Sequence, residues 1–101
     1  MIPKVKRLTD SKTVEACRKN WCEVCGQRSH GEPHHIITRG AGGPDHRYNL
    51  IQLCWMCHYG KVPAAELPKE ILFGFVAKRE GTTVAIIKDT LNRIRRGEYE
   101  L

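Results

Sequence analysis

What the chain lacks narrows it first. No apolar run in its 101 residues approaches the roughly 20 residues needed to cross a membrane. Lys4, Lys6 and Arg7 near the start are not followed by an apolar stretch, so no secretory signal peptide is expected. There is no internal repeat, no low-complexity tract and nothing that resembles a separate sequence-reading domain. The middle of the chain is poor in large apolar residues, several of which fall in the last third. These absences argue against a membrane protein and a repeat array. They leave one small domain over residues 1–101, whose middle needs a source of order beyond a thin hydrophobic core. A bound metal can supply it.

Five cysteines are present. With no export signal, that number in so short a chain points to metal binding in a reducing, cytoplasmic compartment rather than to disulfides. Acidic residues are outnumbered, 11 against 17 Lys and Arg, for a formal charge of +6. This suits a polyanion, whose counterions are released on contact. Taken alone, the charge is explained equally well by solubility.

Periodicity divides the chain into three parts. Residues 1–20 read as a basic arm (1–9) and a short helix (10–20) that Asp10 or Ser11 would cap. Residues 21–62 hold a turn-rich segment, a β-like run at 34–38, a glycine-rich loop at 39–49, a second strand at 50–53, and a helix at 54–60 ended by Gly60 and Pro63. Residues 63–101 carry two helices. Pro68 opens the first, with Ile71, Leu72, Phe75 and Val76 as its expected buried face and Gly81 as its end. Thr82 or Thr83 caps the second, with Val84, Ile87, Leu91 and Ile94 on one stripe. Arg93, Arg95 and Arg96 gather near its C-terminus. Favourable interaction with the helix dipole is a sufficient reason for them there, ahead of phosphate contact.

The cysteines form two CxxC pairs, Cys22/Cys25 and Cys54/Cys57. A redox site needs only one pair. Two pairs complete a tetrahedral four-sulfur shell, the preferred arrangement for structural Zn²⁺. Gly26 suits the tight knuckle that follows Cys25. Cys17 is left over, inside the first helical pattern, and reads as a small buried apolar residue.

The 28 residues between Cys25 and Cys54 exceed a simple zinc ribbon. They contain His34, His35, the glycine loop and Asn49, and His58 follows Cys57 directly. On a strand, His34 and His35 would face opposite ways. Histidine suits a general base because its pKa lies near neutrality. His30 and His46 read as solvated loop residues. Tyr48 and Trp55 are expected to pack against this unit, Trp55 as a knuckle residue between two metal ligands.

The stretch CEVCGQRSHGEPHHIITRGAGGPDHRYNLIQLCWMCHYGK resembles the motif of the HNH (His-Asn-His) endonucleases, in their four-cysteine zinc subgroup. The match lies in His34-His35-Ile36-Ile37, Gly40 to Gly43, Asn49-Leu50, and Cys54 to Cys57 closed by His58 and Lys61. The resemblance implies a small α+β fold: a ββα-metal (His-Me) finger stapled by a four-cysteine zinc site, with flanking helices. It implies a metal-dependent endonuclease that hydrolyses DNA phosphodiester bonds with low sequence specificity. His34 and His58 would hold the catalytic divalent metal, His35 would be the general base, and Asn49 would orient His35. Arg39, Arg47 and Lys61 are secondary candidates for DNA contact.

Many relatives carry Asp where this chain has His34, and Asn where it has His58. Two imidazoles suit Mn²⁺, Co²⁺, Ni²⁺ or Zn²⁺ better than Mg²⁺. A looser preference for Mg²⁺ is therefore expected. Small proteins of this kind are common in phage and bacterial genomes. Two other functions are compatible with the cysteines: a non-catalytic zinc-knuckle module that binds DNA, and a protein-interaction knuckle. The second leaves the histidine pair and Asn49 without a reason. Residues 64–101 could dimerise, dock a phage or recombination partner, or cover the finger.

Overall fold

The computed structural model describes residues 7–59 and 67–98. The first six residues of the expected arm, together with Gly60, Lys61 and Pro63, lie outside the described residues. Asp10 is extended, and its carboxylate accepts from the Thr13 amide at 3.3 Å and the Thr13 hydroxyl at 2.7 Å. That cap starts α1 (Ser11–Ala16). The helix is shorter than expected because Asn20 and Trp21 are already committed to a hairpin. Ser29 N–H donates to Asn20 O at 3.0 Å, and Trp21 pairs with Arg28. Cys17, just past the helix, is buried as expected.

β1 (His34–His35) and β2 (Leu50–Ile51) form a two-stranded antiparallel sheet with His34 opposite Ile51 and His35 opposite Leu50. Both are shorter than the apolar runs that contain them. Between them the loop makes two 3₁₀ turns, Arg39–Ala41 and Arg47–Asn49. The loop folds back tightly: a Cβ added at Gly43 would lie 1.7 Å from Ile37 O, so only glycine allows this approach. α2 (Trp55–Tyr59) follows β2, which gives the strand, loop, strand, helix order expected of the segment.

α3 (Lys69–Glu80) and α4 (Val84–Arg95) form a hairpin through Gly81 to Thr83. Thr83 caps α4, its hydroxyl accepting from Ile86 N–H at 3.2 Å. α4 buries the expected stripe, with Ile87, Leu91 and Ile94 inside and Val84 partly buried. α3 does not bury the expected one. Leu72, Phe73, Val76 and Ala77 face inward, Phe75 is partly buried, and Ile71 is exposed. Apolar residues surround this helix, so its pattern selects no single face. One continuous core joins these helices to Cys22, Ile36, Ile51, Leu53 and Cys54. The C-terminal helices therefore cover the finger. Among the described residues no helix is long and apolar enough to cross a membrane.

Arg79 of α3 locks the two halves. Its guanidinium donates to Glu23 Oε1 at 2.7 Å and to Leu50 O at 3.0 Å. Glu23, its side chain 5% exposed, also accepts from the Gln52 amide at 2.6 Å. Glu23 lies inside the first CxxC pair, so α3 is tied directly to that knuckle. Removing Arg79 leaves buried Glu23 with only the Gln52 amide and the more distant Lys19 ammonium at 3.7 Å, and weakening one side of a buried ion pair is costly. Arg79→Ala is expected to destabilise the fold by about 3 kcal/mol, read as a lower urea midpoint. An unchanged midpoint would show that Glu23 is satisfied without it.

Candidate metal centre and histidine cleft

The hairpin at 20–29 and the start of α2 bring the four cysteines together. Their sulfurs all lie within 4.8 Å of one another, and Cys25 Sγ is 3.5 Å from Cys54 Sγ. A tetrahedral ion with Zn–S bonds of about 2.3 Å has sulfur–sulfur edges of about 3.8 Å. The four thiols are thus positioned to bind one metal ion, and the donor set fits Zn²⁺. The Val24 and Cys25 amides point at Cys22 Sγ from 3.4 and 3.5 Å, and the Cys57 amide points at Cys54 Sγ from 3.4 Å. Gly26, at φ +79°, turns the chain after Cys25 and donates to Cys22 O at 2.9 Å. Burial alone would raise the Cys22 thiol, but backbone amides outweigh it and hold it at about 7. Burial and the three neighbouring thiols push Cys57 up. The cluster cannot carry four thiolates unless a cation compensates them.

The same clamp places His58 opposite β1. His58 Nε2 lies 3.2 Å from His34 Nδ1, the rings edge to face with centroids 5.1 Å apart. Two imidazole nitrogens at this separation can both bond one divalent ion at about 2.1 Å. Burial, reinforced by His58 and His35, holds His34 down at about 4. A neutral imidazole is the form that can bind a metal.

His35, the next residue on β1, engages Asp45 rather than His58. It is 8% exposed, and its Nε2 lies 2.8 Å from Asp45 Oδ1. Asp45 also accepts from Arg7 at 2.7 Å and from the Asp10 amide at 2.9 Å. Burial would raise this carboxyl, but Arg7, the Asp10 amide and His35 together hold it down at about 2. An ionised carboxylate only accepts. His35 Nε2 therefore carries the proton, which leaves Nδ1 as the basic nitrogen in the neutral ring.

The Asn49 side chain engages the loop backbone, and the partner of the His35 imidazole is Asp45. Asn49, fully buried, accepts from the Ile37 amide at 2.7 Å and donates to Ile37 O at 3.0 Å and Pro44 O at 3.1 Å. Its side chain closes the neck of the glycine loop, and the imidazole belongs to Asp45. Sequence reasoning missed Asp45. Its signal was there, an acidic residue directly after the glycine loop, but a single Asp in a loop reads first as a turn former.

A cavity of about 630 Å³ contains His34, His35 and His58 in its lining, together with Arg39 and Trp55. His30 also lines it and is exposed. His46 is not solvated as expected. Its Nδ1 accepts from the Tyr48 amide at 3.0 Å and starts the second 3₁₀ turn. Tyr48 packs against the core, but Trp55 is 69% exposed at the cavity, contrary to the expected packing. Its flanking residue Cys54 turns its sulfur to the cluster, which sends the indole outward. Arg47 pairs with Glu80 at 3.0 Å and does not line this cavity. Lys61 lies outside the described residues.

Residues 22–62 match the family model described as HNH endonuclease. The matched segment contains all four cysteines, the histidine cavity and Asn49. No curated protein and no solved structure matches the chain significantly. Metal analysis of the purified protein is expected to return one tightly held Zn²⁺ per chain. Cys54→Ala, or chelation, should remove it and lower Tm sharply, since structural zinc contributes on the order of 10 kcal/mol to small domains. Retention of Tm after complete zinc loss would refute this structural role.

Proposed function

We propose that this chain is a metal-dependent endonuclease that hydrolyses phosphodiester bonds in DNA. One observation carries the reading: two imidazole nitrogens 3.2 Å apart share a cavity with a buried histidine held by a carboxylate. A zinc staple alone requires none of these three histidines. The match to the HNH endonucleases over residues 22–62 supports the same conclusion.

His34 and His58 would hold the catalytic divalent ion, which supplies Lewis-acid stabilisation for the charge on the phosphorane and the departing oxygen. His35 is the general base. Asp45 holds the Nε2 proton, so Nδ1 accepts a proton from the attacking water, and the carboxylate stabilises the resulting imidazolium. Asn49 is a positioning residue: it fixes the loop that carries Asp45 and the backbone that follows β1. The zinc held by the four cysteines keeps α2, and with it His58, in register with β1. Arg39, which lines the cavity, is the DNA contact best placed to meet the substrate backbone.

A non-catalytic zinc module that binds DNA shares the cysteines and the charge but not the dependence on His35. His35→Ala is expected to reduce plasmid nicking by about 10²–10⁴-fold while leaving zinc content unchanged and the domain folded, at a lower Tm because Asp45 loses a buried partner. Activity should appear with Mn²⁺, Co²⁺ or Ni²⁺ as well as Mg²⁺, because imidazole ligands do not select for Mg²⁺. A zinc-loaded protein that never nicks plasmid with any of these metals would favour the binding module.

A further inference from the structure

A cavity of about 750 Å³ lies apart from the histidine cavity. Arg39 lines both. The second cavity lies between the glycine loop, the start of the described chain and the last turn of α4. Arg7, Arg39, Arg95 and Arg96 line it, and among the described residues no acidic side chain does.

The helix dipole explains why arginines end α4. It does not explain where two of them go. Arg93 stays on its own helix, 3.1 Å from Asp89. Arg95 instead reaches the glycine loop, donating to Ala41 O at 2.9 Å. It has no carboxylate partner among the described residues, and a guanidinium carries further N–H donors beyond the one used. Arg96 pairs with Glu98 at 2.6 Å, and Arg39 with Glu32 at 3.9 Å. Both pairs are well exposed, and such pairs exchange partners at little cost. Arg7 differs: it is committed to Asp45 and Gly43 O. It adds charge to the cavity but not a free hand.

We propose that this cavity is a second phosphate subsite, in which Arg39, Arg95 and Arg96 bind the DNA sugar–phosphate backbone flanking the bond held beside His34 and His58. The inference rests on the nuclease reading of the histidine cavity. A polymer with one phosphate at those histidines must lay its neighbouring phosphates along the adjacent surface, and Arg39 joins the two places. Guanidinium groups match phosphate oxygens through paired N–H donors. Such interactions fix position on the backbone and carry no base sequence, so the subsite fits an enzyme of low sequence specificity.

Binding of zinc-loaded protein to a labelled duplex, measured by fluorescence anisotropy across a salt series without added divalent metal, tests this apart from cutting. In Arg95→Gln/Arg96→Gln the Kd at low salt should rise about tenfold. The slope of log K against log salt should become shallower by about 0.9 for each phosphate no longer neutralised. If the double variant loses zinc or Tm, Arg96→Gln alone should still make the slope shallower by about 0.9. An unchanged slope in a folded variant overturns the subsite even where the wild type nicks DNA. Wild type that binds with the expected slope change but never nicks retires the nuclease reading and keeps the phosphate surface. Tighter binding to poly-glutamate than to duplex overturns the proposal in favour of an acidic protein partner.

Discussion

Four sulfurs within 4.8 Å of one another are the constraint on which the rest of the finger depends. The two-residue strands β1 and β2 are too short to hold a sheet by themselves. α2 is too short to persist as an isolated helix. A clamp between the 20–29 hairpin and the head of α2 relieves both weaknesses together. It fixes the direction of α2 against β1, and the meeting of His34 and His58 is a geometric consequence of that.

Polar groups do the remaining alignment from inside. Ser29, His35, Asp45, Asn49 and Gln52 are all buried. Among the described residues no buried side-chain polar atom lacks a partner. Gln52 donates to Ser29 at 2.7 Å and Gly31 O at 2.9 Å, tying β2 to the hairpin. Asn49 holds the neck of the loop, and Asp45 holds His35, Arg7 and the Asp10 amide together. Such a network is rigid because each member would be costly to leave unpaired. The protein thus sets its histidines with a metal clamp on one side and a satisfied polar network on the other.

The two cavities share one wall at Arg39. One gathers histidines and the other arginines. This division separates the titratable imidazoles from the permanently charged guanidinium groups. It also gives α4 a reason to end where it does, against the glycine loop.

The elements with a chemical signature were legible in the chain itself. The paired CxxC motifs, the ββα order, the Thr83 cap and the stripe of α4 each follow from residue type at fixed spacing, which is a local property. α3 was not legible in the same way, because Ile71 and Phe73 are equally apolar and only the partner surface selects between them. The histidine pair was legible as a pair, but not its partners. Asp45 lies 10 residues from His35 and Arg7 lies 38 from Asp45, and Arg79 reaches Glu23 across 56. Pairings at such separations leave no period in a sequence. The sequence by itself determined which chemical groups the protein gathers: four thiols and a set of histidines. The tertiary structure alone decided which carboxylate holds His35, and it turned Trp55 and two arginines outward onto the cavities. A side chain's direction depends on what its neighbours bury, and that is settled only when the chain closes on itself.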